Sequence, residues 1–225
     1  MWCCMSCVTI SIMIIRRNFI NCWKALTRKE KSMSVCSDSR ISAQRKDVNM
    51  YRQITTRRLT LRQLTSADLQ STHAYAADKE ITQYMMFLPK HSIEETRQFI
   101  LGAEAEWQKE TPDFLEYAVC LDGIHIGGVS LYISEDRSDG ELGWIINKQY
   151  WGHGYAAEAA QGLADYAIKQ LRIPRLIAHC DVKNAASRRV MEKLGMTLVS
   201  VSERVYPNGK APDSEEYMYE LRAHN

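Results

Sequence analysis

No run of about 20 apolar residues, the length a membrane-spanning helix requires, occurs in this chain of 225 residues. The nearest approach is the first 15 residues, rich in Met, Ile, Val, Cys and Trp and followed by Arg16 and Arg17. A secretory signal carries its charges before the apolar run, so the order is wrong for one. No membrane association is expected, with a weak anchor in this head as the alternative. A phosphate loop of the form G-x-x-x-x-G-K-[ST] is also missing, which excludes that class of nucleotide hydrolase. Cys3, Cys4 and Cys7 cluster, but no second ligand pair stands at a recognised spacing, so no metal is expected. Internal repeats are absent. Nor is there a large excess of one charge: 29 Lys and Arg meet 27 Asp and Glu. Residues 1–50 hold nine of the bases and three of the acids, leaving 20 bases against 24 acids in the rest. The mild basicity belongs to the head, and no nucleic-acid partner is expected.

Cys3, Cys4, Cys7, Cys22 and Cys36 share that head. Cys120 and Cys180 sit within apparent strands and are expected as buried free thiols, which suits a reducing cytoplasm. Residues 1–49 read as an atypical extension outside the working protein. Translation is expected to start at or near Met50, since periodic sequence begins just after it. Residues 50–225 then read as one domain of ordinary size.

From residue 57 the pattern is regular. Residues 58–64 alternate polar and apolar, as a half-buried strand does. Thr65-Ser66-Ala67-Asp68 has the spacing of a capping box and predicts a helix of about ten residues; a second short helical piece is expected near 80–85. Ser92-Ile93-Glu94-Glu95 repeats the box, ahead of an apolar face of Ile93, Phe99, Ile100, Ala103 and Trp107. Residues 114–121 and 124–133 flank Asp122-Gly123, a hairpin signal, and 140–147 makes a third strand. An Ala-rich helix over 154–171, a strand over 175–181 and a helix over 184–194 ended by Gly195 follow. A strand over 196–206, a turn at 207–210 and a last strand over 215–221 complete the order β α α β β β α β α β β. Antiparallel runs broken by two late crossover helices predict an α+β fold of mixed three-layer α/β/α type. Its central sheet is expected to be mostly antiparallel, with helices on both faces.

Between the strand ending at Asn147 and the Ala-rich helix, Gly152 and Gly154 are one residue apart. Strand, glycine-bearing turn and helix start together form an anion site. Glycines admit positive-φ backbone and the close approach of a ligand. The first helical turn offers unpaired N–H donors and a partial positive charge. A dinucleotide-binding G-x-G-x-x-G is not met, because position 157 is Ala and the loop follows antiparallel strands. From these residues alone, a tight turn without a ligand is an equal alternative.

The run Gln149-Tyr150-Trp151-Gly152-His153-Gly154 fits the Q/R-x-x-G-x-G/A motif of the GNAT acetyltransferases. Extended through Tyr155, Ala156, Ala157, Glu158 and Ala159, it resembles the Rim-type branch, which contains ribosomal-protein N-terminal acetyltransferases. About 30 residues on, residues 184–196 are similar to the family's N-x-x-S-x-x-V-x-E-K-L-G-F segment, with Met196 where Phe is usual. The resemblance spans roughly residues 56 to 221. It implies acetyl-CoA as co-substrate and the GNAT fold. The pyrophosphate would lie on Gln149, Trp151, Gly152, His153, Gly154, Tyr155 and Ala156, and the pantetheine on the backbone of Trp144, Ile145 and Ile146. Asn184 and Lys193 would add contacts, although a solvated face suits Lys193 as well. His153 stands where Lys or Arg is common and reads as a surface residue near phosphate.

Acetyl transfer to an amine needs a neutral nucleophile, a polarised thioester carbonyl and a proton for the leaving thiolate. Amines are mostly protonated at pH 7, so a base has to act. Glu141 is the catalytic candidate, because it opens the strand leading into the loop, where Rim-type enzymes place a glutamate. A dry strand start raises a carboxylate's pKa toward neutrality; a solvated strand-end glutamate is the plain alternative. Asp136 and Asp139 are candidates for attracting a cationic substrate. In many family members a late-helix tyrosine protonates the thiolate. That position here is Met191, which cannot donate, and the resemblance moves the role to Ser187. Asn184 is expected to cap its helix as well as reach the cofactor. His179 and Cys180 point to opposite faces by alternation and form no dyad. Tyr84, Phe87, Trp107 and Tyr206 suit either an acceptor pocket or plain core.

The expected partners are acetyl-CoA and an amine acceptor, the protein acting as a monomer or homodimer. A protein N-terminal α-amine is the first acceptor expected. Its pKa near about 8 asks less of a base than a lysine or polyamine amine near about 10.4. Alternatives are a small amine such as a polyamine, amino acid or antibiotic, or a CoA-binding protein without turnover. Acceptor choice is expected to lie in residues 66–110 and the final hairpin.

Overall fold

A computed structural model describes residues 53–86, 89–206 and 214–223. The expectations for residues 1–52, for Phe87 and for the turn at 207–210 lie outside the described residues. Within them eight strands form one sheet. In chain order β1 is Ile54–Thr55, β2 Leu59–Gln63, β3 Phe114–Leu121 and β4 Ile124–Ile133. Then come β5 Asp139–Ile146, β6 Arg175–Asp181, β7 Thr197–Arg204 and β8 Ser214–Arg222. The helices are α1 Leu69–Ala76, α2 Ile93–Glu106, α3 Tyr155–Lys169 and α4 Ala185–Lys193. Across the sheet the strands run β1-β2-β3-β4-β5-β6-β8-β7, and β5 with β6 is the one parallel pair described. This is the expected α+β fold, with the two-residue β1 as an addition.

Local chemistry accounts for most boundaries. Asp122 and Gly123 both take positive φ, 49° and 82°, as a tight two-residue hairpin turn demands. Ser92 Oγ accepts the Glu95 N–H at 3.2 Å, while the Glu95 carboxylate reaches back to the His91 N–H at 3.1 Å. At 80–85 the expected helical piece is a turn. The Asp78 carboxylate takes the N–H groups of Glu80 and Ile81, at 2.8 and 3.2 Å. Local side-chain bonds of this kind compete with a helical ladder.

Alternation along the strands splits the sheet into two faces. Tyr117, Val129, Leu131 and Leu142 belong to the main core with Ala159, Ala160, Leu163 and Ala164 of α3 and Met191 of α4. Small residues on α3 let the helix axis approach the sheet. Burying a side chain such as Leu163 contributes roughly 1.5–3 kcal/mol. On the opposite face Ala118 and Cys120 pack with Leu64, Leu69 and Ile100 beneath α1 and α2. Cys120 and Cys180 are free and buried, as expected.

One break in the ladder positions the site. β5 and β6 are paired at Asp139↔Arg175, Gly140↔Leu176 and Glu141↔Ile177. Beyond those three rungs β5 continues to Ile146 and β6 to Asp181 without pairing to each other, while β6 stays paired with β8 along its whole length. A wedge therefore opens in the middle of the sheet. Arg175 clasps its closed end, bonding Asp139 at 3.2 Å and Glu220 at 2.8 Å.

Candidate active site

The open side of the wedge runs along β5 into the glycine-bearing loop. Asn147 donates its N–H to the Ile126 carbonyl on β4. Alternation then turns the peptide groups of Ile145 toward β4, and those of Trp144 and Ile146 toward the wedge. The Ile146 carbonyl is taken by the Trp151 indole N–H at 2.7 Å. Trp144 and the Ile146 N–H thus offer the free edge, whereas the backbone of Ile145, expected to share that role, is spent on the sheet. Such an edge can polarise a carbonyl or pair with an amide chain.

At the far end of the loop Gly154 caps α3 with φ of 80°, and Gly152 has φ of 81°. A side chain at 152 would meet nothing within 4 Å. The requirement there is the left-handed backbone, not space. Trp151, Gly152 and His153 are exposed, and Tyr155 and Ala156 form the first turn of α3. The His153 and Tyr155 rings stack at 5.6 Å. Gln149 is exposed, its N–H held by the Asn147 carboxamide at 3.2 Å.

Arg58, which the sequence reading missed, braces this loop. Its Nε donates to Glu158 on α3 at 2.7 Å, and its Nη2 to the His153 carbonyl at 3.1 Å. Its guanidinium lies 4.5 Å over the Tyr155 ring. Burial pushes the Glu158 carboxyl up, but hydrogen bonds from Thr56 and Arg58 outweigh it and leave the group below the usual range.

Glu141 occupies the last rung before the wedge opens. His179, two residues past its partner Ile177, donates Nδ1–H to Glu141 Oε1 at 2.9 Å. The histidine side chain is 7% exposed and the carboxylate 24%, so solvent reaches only the acid. Nothing in the local sequence around His179 points to Glu141, 38 residues away. Alternation does send Cys180 into the main core, where burial raises its thiol to about 11.

Ser187 stands on the other face of β5. Its Oγ accepts the Trp144 indole N–H at 3.3 Å, and its own N–H is capped by Asn184 Oδ1 at 3.0 Å. Asn184 is therefore the helix cap that the spacing predicted. Met191 is fully buried, so the usual tyrosine position faces the core here. Lys193 is exposed in the last turn of α4, about 13 Å along the helix from Asn184. No hydrogen bond or ion pair described joins it to the loop.

The aspartates expected to attract substrate are committed elsewhere. Asp139 is tied to Arg175. Hydrogen bonds from Ser134 and Ser138 hold the Asp136 carboxyl below the usual range and close the turn before β5. Trp107 is core, its indole donating to the Glu116 carbonyl at 3.2 Å. Tyr206 donates to Asp181 at 2.6 Å. Buried Arg204 pairs with Glu216 at 2.8 Å and donates to the Tyr84 carbonyl at 2.9 Å. The two segments expected to govern acceptor choice are thereby tied together across one face of the sheet. Among the described residues no group of three or more His, Cys, Asp or Glu is placed to hold a metal, and no helix is long and apolar enough to cross a membrane.

A sheet split by a wedge, with a glycine-bearing loop and helix start at its mouth, defines an acyl-CoA transferase of the GNAT type. The family model "Acetyltransferase (GNAT) domain" matches residues 58–197. The uncharacterized N-acetyltransferase YnaD of Bacillus subtilis (strain 168) is 31% identical over 166 residues, 73% of this chain and 94% of that protein. The crystal structure of a GNAT-family acetyltransferase from Bacillus anthracis is 29% identical, covers 76% of this chain and 98% of its own, and superposes with a TM-score of 0.66. An acetyltransferase from Salmonella typhimurium, described as modifying the N-terminal serine of the 50S ribosomal subunit protein L7/L12, is similar in fold. It is 21% identical, with coverage of 75% and 97% and a TM-score of 0.66. The chain belongs to the GNAT acetyltransferase family and is an acetyl-CoA-dependent N-acetyltransferase.

Proposed function

We propose that this enzyme acetylates protein N-terminal α-amines by direct transfer in a ternary complex, with Glu141 as base and Ser187 as acid. The observation that carries the reading is the placement of the two groups on opposite faces of β5, at the point where the wedge opens. Glu141, oriented by His179, accepts a proton from the incoming ammonium. The freed amine nitrogen bonds to the thioester carbon, and the carbon–sulfur bond breaks. The Trp144 edge holds the charge that develops on the carbonyl oxygen, and the Ser187 hydroxyl supplies a proton to the departing sulfur; the nitrogen gives up its second proton to solvent as the amide forms, and solvent then reprotonates Ser187 and takes the proton held by Glu141. Gly152, Gly154 and the first turn of α3 hold pyrophosphate, with Arg58 keeping the loop in shape. The similarity in fold to the Salmonella protein supports an N-terminal acceptor, and so does the lower pKa of an α-amine, about 8.

Thiol release from acetyl-CoA over a panel of short peptides with free N-termini, Nα-blocked lysine, free amino acids and spermidine tests the acceptor. The free N-terminal peptides are expected to give the highest kcat/KM. A higher value for spermidine or an amino acid overturns the α-amine assignment and favours the small-amine reading. Glu141→Gln is expected to lower kcat by about 10²–10⁴-fold, and full kcat across pH in that variant would remove Glu141 from the mechanism.

A further inference from the structure

One stacked aromatic pair belongs to neither apolar core, and it stands beside Glu141. Phe114 on β3 lies opposite Tyr132 on β4, and Tyr132 lies opposite Glu141 on β5. Side chains directly opposite in neighbouring strands share one face of the sheet, so the three form a row across it. Neither aromatic residue is a member of the cluster packed by α3 and α4 or of the one beneath α1 and α2.

The rings of Phe114 and Tyr132 are 4.4 Å apart and within 22° of parallel. That separation is close to one strand spacing, ~4.8 Å, so the line joining the rings runs across the strands. One side of the tyrosine ring is therefore laid on Phe114, and the other looks along the row toward β5. Phe99 from α2 tilts against Phe114 at 6.4 Å and backs the stack. Glu141 leans the opposite way, toward β6, where His179 holds its Oε1 at 2.9 Å. Ring and carboxylate thus diverge from adjacent strands, and solvent reaches both. Tyr132 is half-buried, and the Glu141 side chain is 24% exposed.

An aromatic face carries partial negative charge and attracts a cation within about 6 Å of its centroid. We propose that the β5-facing side of the Tyr132 ring and the Glu141 carboxylate together seat the acceptor as its ammonium, with Tyr132 selecting cationic head groups. The inference rests on the acetyltransferase reading and deepens it, since it names the form in which the amine is first bound. Tyr206, another aromatic residue considered for the acceptor pocket, already lies under a cation of this chain, the Arg204 guanidinium at 5.0 Å.

A π face asks for charge and not for N–H donors, so the seat takes methylated ammonium groups as well as primary ones. A quaternary ammonium has no proton for Glu141 and no lone pair for the thioester, and it occupies the seat without reacting. The ring favours the amine before its proton leaves. Its contribution therefore lies in binding and not in the chemical step.

Calorimetric titration of choline and of its neutral isostere 3,3-dimethyl-1-butanol into the full chain, with coenzyme A present, tests the seat. Choline is expected to bind at least about tenfold tighter, since the two compounds differ only in the charge at the centre of the head group. Tyr132→Leu is expected to weaken choline about fivefold and to leave the alcohol within about twofold, whereas Tyr132→Phe keeps the choline affinity. Replacing Tyr132 with pentafluorophenylalanine keeps the ring but removes its negative face. It should show the same loss of choline, and it decides the matter if the Leu variant does not fold. No binding of choline, equal binding of the two compounds, or equal losses for both in the Leu variant overturns the proposal. In turnover the Leu variant is expected to raise the KM for the acceptor about fivefold, and a fall in kcat at constant KM overturns it as well. Thiol release over the acceptor panel judges the α-amine reading separately. Choline binding with the stated preference, alongside a panel that does not favour free N-termini, keeps the seat and removes that reading.

Discussion

Ser187 and Met191 sit one helical turn apart on α4, and the turn separates a wedge from a core. Ser187 touches Trp144 at the lip of the wedge, whereas Met191 is sealed inside. A proton donor at 191 would have no route to a sulfur atom. Ser187→Ala is expected to lower kcat by about 10²-fold, the lower end for a general acid, because a thiol of pKa near about 8.5 leaves with modest help. The KM for acetyl-CoA should stay within about twofold. Adding Met191→Tyr to that variant should not restore the rate and should cost about 1–3 kcal/mol of stability, since it overfills a closed core site. Single-turnover rates and urea midpoints check both statements, and a tyrosine that rescues turnover would show that α4 opens in solution.

Among elements, the strand–loop–helix unit from β5 to α3 was the most legible in the sequence. Its glycines and helix start announce themselves over a dozen consecutive residues, and so do the Asn184 cap and the Asp122-Gly123 turn. Contacts that join distant elements left no such trace. Arg58 and Glu158 are 100 residues apart, and no spacing rule links them. Glu141 and His179 meet only because β5 and β6 are parallel in one register. Periodicity predicts strands but not their partners, so Glu141, the proposed base, is named by the sequence and its histidine partner is not. The pairing of Asp139 with Arg175 is hidden for the same reason, since that partner lies on β6. Arg58→Ala should leave a partly buried carboxylate at Glu158 and loosen the loop. The expected loss is about 2 kcal/mol of stability and about a tenfold rise in the KM for acetyl-CoA, with kcat for a saturating acceptor nearly unchanged. A KM that stays put would show that the loop holds its shape without the brace.

At the scale of the whole molecule, two buried titrating groups pull stability in opposite directions across the neutral range. Glu116 moves from 4.5 to about 8 on folding because burial penalises its charge. Its neutral form is the one the native state accommodates. The associated stability is complete below about pH 4.5 and is lost as pH rises through about 8, amounting to roughly 5 kcal/mol in all. His125 is lowered from 6.5, by burial first, with Asp68 opposing. Its contribution is present above about pH 6.5 and is lost as pH falls. Urea midpoints of Glu116→Gln and the natural chain should therefore diverge steadily from pH 5 to pH 8, with the variant gaining. Parallel profiles would show that Glu116 finds an ionised partner in solution.

The wedge also has a mechanical meaning. Three rungs, clasped by Arg175, act as the spine of a book whose leaves are β1–β5 and β6–β8. Bending compliance concentrates at that spine, because the ladders on either side of it, β4 with β5 and β6 with β8, run to seven rungs each. An amide-bearing chain lying along Trp144 and Ile146 would act as a bookbinder's thread and stiffen both leaves at once. Amide protons at those two positions should exchange early in the free enzyme and late in its complexes, long before any change is visible at the outer strands.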